Sequence, residues 1–171
     1  YNLDGEEIEK ELKTVEWDAE AAEKSGYEHF MIKEIHEQPK AVSDTLNSVI
    51  KDGMIDLSEV GLSEEEIKEI SQIYIVACGS AYHVGVAAQY VVEDLARIPV
   101  RVELASEFRY RNPILDPKGL VVIISQSGET ADSLAALRES KKQGVKTLGI
   151  VNVIGSSIAR EADNVYYTLA G

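Results

Sequence analysis

The spacing of hydrophobic positions changes near residue 70 of this 171-residue chain. Before that point the pattern is helical and polar. Tyr1 to Trp17 carries a mixed signal, because Ile8, Leu12 and Val15 have helical spacing while Asp4-Gly5 is a hairpin dipeptide. From about Ala19 to Glu37 the apolar residues Phe30, Ile32 and Ile35 predict a helix. Pro39 suits the first turn of a further helix, which runs through Val42, Leu46, Val49 and Ile50. Ser63 with Glu66 three positions on forms a capping box that opens a short helix through Ile67 and Ile70. Asp52-Gly53 and Gly61 mark turns.

After residue 70 the pattern becomes strand, turn, helix, repeated. Ile73 to Ala77 is an almost wholly apolar run, broken by Cys78-Gly79-Ser80 and followed by a helix with Val84, Ala88, Val91, Val92 and Leu95 on one face. Val100 to Leu104 alternates apolar with charged, as an edge strand does. Leu120 to Ile124 is continuously apolar, as a strand covered on both faces is, and leads to a helix presenting Ala131, Leu134, Ala135 and Leu137. Thr147 to Val151 is a fourth strand. A short helix around Ile158 to Glu161 leads to a fifth, Val165 to Leu169.

Such alternation predicts a parallel sheet wrapped by helices, since each crossover is right-handed and must cover a face. The apolar first and third strands belong in the middle and the alternating second at an edge, giving the order 2-1-3-4-5. The fold class expected is therefore α/β: a three-layer, flavodoxin-like sandwich with a five-stranded parallel sheet, preceded by N-terminal helices. In such sheets ligands bind beyond the carboxyl ends of the strands where the order reverses. Here the reversal lies between strands one and three, so the turns that follow them, Cys78 to Ala81 and Ser125 to Thr130, converge on one crevice.

Those turns have the composition of an anion site. Ser125-Gln126-Ser127-Gly128-Glu129-Thr130 joins an apolar strand to a helix whose first N–H groups lack intrahelical partners and sit at the positive end of its dipole. Hydroxyls on Ser125, Ser127 and Thr130 add donors, and Gly128 can take positive φ and let the backbone close around a small anion. A plain helix cap would need one hydroxyl, not three. No lysine or arginine lies in the turn, which favours a phosphate monoester over a nucleotide triphosphate with its metal.

Charge and composition narrow the partners. Of 30 acidic and 17 basic residues, residues 1–70 hold 20 and 7, so the net charge of −13 belongs to the N-terminal part. This acidity reads as solvated helix faces. No basic surface is available for a nucleic-acid backbone. With 44% apolar residues the chain can bury one real core. Its apolar runs are strand-length, and no signal pattern opens it, so no membrane partner and a cytoplasmic location are expected. The single cysteine, Cys78, fits a reducing compartment and excludes an internal disulfide or a cysteine-rich metal site. No cofactor and no metal are expected.

Four segments together carry a family resemblance. They are Lys33 to Pro39, Val76 to His83, Ala105 to Arg111 and Ile124 to Asp132. Over nearly its whole length the chain resembles the glutamine:fructose-6-phosphate aminotransferases (isomerising), the glucosamine-6-phosphate synthases, and within them the first of two sugar isomerase (SIS) domains. The resemblance implies that residues 1–24 are the end of a glutaminase domain and a linker, and that residues 25–171 are the first SIS domain with its N-terminal helices. It implies binding of fructose 6-phosphate or glucosamine 6-phosphate through Cys78, Gly79, Ser80, Ala81, Ser125, Gln126, Ser127 and Thr130. Ser80 stands where many members have threonine, and Ala81 where a serine commonly adds a phosphate contact. The implied partners are a second SIS domain and a glutaminase domain of the same parent chain, with a homodimer expected. The family's catalytic glutamate, histidine, lysine and N-terminal cysteine have no counterpart here, so the fragment alone is expected to be inactive.

The remaining reactive side chains have structural explanations. Cys78 follows a buried strand with no base beside it, so it reads as a small packed residue lining the site. His83 reads as capping or packing, and His29 and His36 lack metal-ligand spacing. Glu129 is explained by the dipole of the following helix. Arg109 and Arg111 near Glu107 fit either a phosphate contact across a subunit boundary or an interfacial ion pair. Two other functions share this fold and turn: a sugar-phosphate-sensing SIS domain of a regulator, and a stand-alone sugar-phosphate isomerase or deglycase. An acidic segment, rather than a basic helix-turn-helix, precedes the sheet, which disfavours the first.

Overall fold

A computed structural model of the chain describes residues 5–7 and 23–170. Apart from residues 5–7, the stretch Tyr1 to Trp17 lies outside them, as do residues 19–22 of the first expected helix. Residues 23–29 are turn and bend, and helix α1 runs Phe30–Asn47 with Pro39 inside it. The two expected helices are therefore one across the proline. Proline in a helix interior forfeits the bond to the carbonyl four residues back, here Ile35. Ile35, Gln38, Pro39 and Lys40 are all exposed, so that carbonyl lies on the side open to water.

Val49 and Ile50 also depart from expectation, because α1 stops at Asn47. Ile50 opens a two-residue hairpin, β1 (Ile50–Lys51) against β2 (Met54–Ile55). Asp52 and Gly53 form its loop with φ of 52° and 75°, the left-handed pair that matches strand twist in a tight hairpin. Val49 is buried with Val60 and Leu62. After a 3₁₀ turn at Ser58–Val60 comes α2, Glu64–Glu69. The capping box forms as expected: Glu66 N–H donates to Ser63 Oγ at 3.2 Å, and Ser63 N–H donates to Glu66 Oε2 at 2.9 Å. Lys146 also donates to Glu66, tying α2 to the sheet.

The remaining elements are β3 (Gln72–Ala77), α3 (Gly79–Ala96), β4 (Val100–Leu104), α4 (Ala105–Tyr110), β5 (Gly119–Ser125), α5 (Ala131–Lys142), β6 (Lys146–Val151), α6 (Ser157–Glu161) and β7 (Asn164–Tyr167). The sheet order is β4-β3-β5-β6-β7, parallel throughout, which is the 2-1-3-4-5 order read from the sequence. Each central strand supplies residues to two layers. Tyr74, Val76, Val121 and Ile123 pack with Phe108, Leu137 and Ile158 of α4, α5 and α6, whereas Ile75, Leu120 and Val122 pack with Ala88 and Val92 of α3.

Two helices bury only part of the faces expected of them. On α3, Val84, Val91 and Leu95 are exposed, at 57%, 56% and 77%, and the contact line runs through Gly85, Ala88 and Val92. A Cβ on Gly85 would lie 2.8 Å from Ile75 Cγ2, so the missing side chain lets the helix settle about one residue away from the expected stripe. On α5 the buried line is Ser133, Ala136, Leu137 and Ser140; Leu134 and Ala135 are half-buried and Ala131 is exposed. Ser140 is tolerated there because its hydroxyl donates to Ala136 O at 2.8 Å.

Candidate functional site

Register brings the two small-residue turns together. Ala77 pairs with Ile124, so β3 and β5 end level and Cys78 faces Ser125 across the gap between their tips. A cavity of about 270 Å³ lies there. Cys78, Gly79, Ser80 and Ala81 line one side, and Ile124, Ser125, Gln126, Ser127 and Thr130 the other. All eight residues expected from the sequence meet in this crevice. Ile124 is the addition, hidden by its place in an apolar strand, although its position at the carboxyl end was the signal that could have found it.

The first side of the crevice is the start of an 18-residue helix. Cys78 is its extended N-cap, and no side chain caps it. Gly79, at φ +58°, and Ser80 and Ala81 follow, so their N–H groups belong to the turn of the helix that lacks intrahelical acceptors. Cys78 itself is half-buried against the core, and the Ser133 hydroxyl donates to its sulfur at 3.9 Å. That contact fits a packed, lining residue rather than a nucleophile with a base.

The second side is the turn between β5 and α5. Gly128 N–H donates to Ser125 Oγ at 3.1 Å, and Glu129 N–H donates to Ser127 Oγ at 3.2 Å. Ser125 Oγ and Thr130 Oγ1 are 3.2 Å apart and share a hydrogen bond. The three hydroxyls are therefore not equivalent donors, as the sequence alone implied. Ser125, 5% exposed, braces the turn, while Ser127 accepts a backbone N–H and keeps its own proton to donate. Thr130 is the N-cap of α5 without a side-chain cap bond to that helix. Gly128 has φ +66°, and a Cβ there would meet Ser156 Oγ at 2.0 Å, so both backbone shape and packing require glycine.

Charged groups near the crevice are engaged elsewhere. Glu129 is not in the first turn of α5; its Oε1 accepts Ser157 N–H at 2.7 Å. That hydrogen bond, with Arg160 close by, holds its carboxyl below the usual range. Arg109 donates to Asp132 at 2.9 Å, and Arg111 makes a two-pronged pair with Glu103, its Nε at 2.6 Å. Both guanidinium groups thus stand in intrachain ion pairs. His83 is exposed and edge-on to Tyr82, His36 stacks on Tyr27, and His29 is the N-cap of α1. Among the described residues no cluster of His, Cys, Asp or Glu could hold a metal ion. The crevice thus has two helix starts at its sides, with neutral hydroxyls and an amide, and among the described residues no cationic side chain lines it. Such a donor set suits a small, compact anion.

Comparison with known proteins places the chain in a family. The chain is 58% identical, over its whole length, to a glutamine–fructose-6-phosphate aminotransferase (isomerizing) of Clostridium acetobutylicum, and 56% identical to that of Clostridium tetani. It spans 28% of the length of each. Among solved structures it is similar to the C-terminal domain of glucosamine-fructose-6-phosphate aminotransferase from Francisella tularensis. There the TM-score is 0.82 and the identity 47%, over 87% of this chain and 42% of that one. A model of the SIS domain matches residues 66–171, from within α2 to beyond β7. The chain belongs to the SIS domain family.

Proposed function

We propose that the crevice binds the phosphate of fructose 6-phosphate or glucosamine 6-phosphate, and that the chain is the first SIS domain of a glutamine–fructose-6-phosphate aminotransferase. On this reading residues 1–24 are the end of the glutaminase domain and linker, and residues 25–171 the sugar-phosphate domain. The parent enzyme would transfer ammonia from glutamine to fructose 6-phosphate in the cytoplasm, with its glutaminase and second SIS domains as partners and a second copy completing a homodimer. The observation that carries the reading is the meeting of two glycine- and serine-bearing turns, each before an uncapped helix, in one crevice lined by no cation among the described residues. Similarity to relatives of that name along the whole chain supports the choice of sugar. Among the described residues no helix is long and apolar enough to cross a membrane.

Chemistry is proposed to lie outside this chain. The Cys78 sulfur accepts from the Ser133 hydroxyl, Glu129 is turned to Ser157, and both nearby arginines are paired. The isolated chain is expected to bind sugar phosphate and to form no glucosamine 6-phosphate from fructose 6-phosphate and ammonia; measurable turnover would refute this. Calorimetric titration tests the site itself. Fructose 6-phosphate should bind and fructose should not, and Ser127→Ala should weaken binding about tenfold, the loss of one hydrogen bond to a charged group. Equal binding of fructose, or an unaffected Ser127→Ala variant, would reject the site.

A further inference from the structure

The segment Asn152–Ile158, which runs from the end of β6 into the first turn of α6, makes three hydrogen bonds to the Ser125–Thr130 turn. Asn152 N–H donates to Gln126 O at 3.1 Å, Ile158 N–H donates to Gly128 O at 3.0 Å, and Ser157 N–H donates to the Glu129 carboxylate at 2.7 Å. This segment follows β6, which lies on one side of β5, while the crevice lies on the other side, toward β3. A trans peptide points its C=O and N–H in opposite directions. With Gln126 O turned toward the β6 side, the Ser127 N–H is turned toward the crevice. With Gly128 O held by Ile158, the Glu129 N–H is turned to Ser127 Oγ, which leaves that hydroxyl's proton to donate.

Two of these three bonds are backbone to backbone and available to any sequence. The third is a side-chain choice, and it occupies the one carboxylate in the turn. We propose that Glu129 is a positioning residue: by accepting the Ser157 N–H it latches the turn to the β6–α6 segment and so aims the turn's donors at the anion. This role rests on the sugar-phosphate reading of the crevice and requires no contact between Glu129 and ligand. It explains an acidic residue beside an anion site, where direct contact would repel. Gly128 completes the fit, since its bare Cα allows the turn to lie against the buried Ser156.

The test uses the 171-residue chain with Glu129→Ala and Glu129→Gln, read by amide hydrogen exchange and by fructose 6-phosphate titration. Glutamine keeps a carbonyl that can accept the Ser157 N–H, and alanine keeps nothing. Glu129→Ala should speed exchange of the Ser157 amide and weaken the sugar phosphate, each by about tenfold, as expected for one lost charge-assisted bond. Exchange in β5 should stay at the wild-type rate, showing that the sheet is intact. Glu129→Gln should stay within about threefold of wild type in both readouts. An alanine variant with wild-type affinity or an unchanged Ser157 amide would overturn the latch, as would a glutamine variant as weak as alanine. If wild type itself fails to bind, the sugar-phosphate reading falls, while Ser157 exchange still decides whether the latch exists.

Discussion

Gly128 shows how much one position can carry in this site. Its positive φ shapes the turn, and its missing Cβ makes room for Ser156 Oγ, which would otherwise lie 2.0 Å away. Gly128→Ala is expected to cost about 1–3 kcal/mol of stability for the backbone strain alone, read by urea denaturation, and to abolish sugar-phosphate binding because the turn must move. Ala81 has the opposite meaning. It lines the crevice in the first turn of α3 and contributes only its backbone. Ala81→Ser adds a hydroxyl at the rim, and a gain of about 1 kcal/mol, roughly fivefold in affinity, is expected by calorimetry. Glu129 was legible as an acidic residue near a helix start, but its partner was not, because Ser157 lies 28 residues on and meets it only through the sheet order.

Elements with a strong local signature were read correctly from the sequence, and those whose contacts are set from a distance were not. Five strands, their order and the capping box of α2 follow from apolar runs, alternation and the Ser63–Glu66 spacing, all local. On α3, Ala88 and Val92 pack as expected, but Val84, Val91 and Leu95 do not, because Gly85, which contributes no hydrophobicity, sets the contact line. The α5 face failed because two serines lie on it, both fully buried. Pro39 failed as a helix start because its unmade hydrogen bond falls on the exposed side of α1. The box at α2 yields two expectations. Ser63→Ala should cost about 1 kcal/mol in urea denaturation. The Glu66 carboxyl, held at about 2 chiefly by the Lys146 ammonium, and that of Asp56, held at about 2 chiefly by hydrogen bonds from Ser58, are both depressed in the folded state. A depressed carboxylate contributes stability that is fully present above its unfolded value, near 4.5 for Glu66, and is lost as pH falls toward 2. Denaturation midpoints should therefore fall between pH 6 and pH 3, and Glu66→Gln should flatten part of that slope.

At the scale of the whole molecule, the fold supplies a place and the turns supply the groups that line it. The reversal in strand order creates a crevice between β3 and β5, equal strand ends put Cys78 beside Ser125, and a helix starts on each side. The net charge of −13 does not oppose an anion there, because residues 71–171, which hold both turns, carry 10 acidic and 10 basic side chains. Backbone amide mapping during addition of fructose 6-phosphate tests this account most directly. Saturable shifts confined to residues 78–81 and 125–130, absent with fructose and weakened by Ser127→Ala, are the predicted result; no shifts, or shifts centred elsewhere, would contradict it.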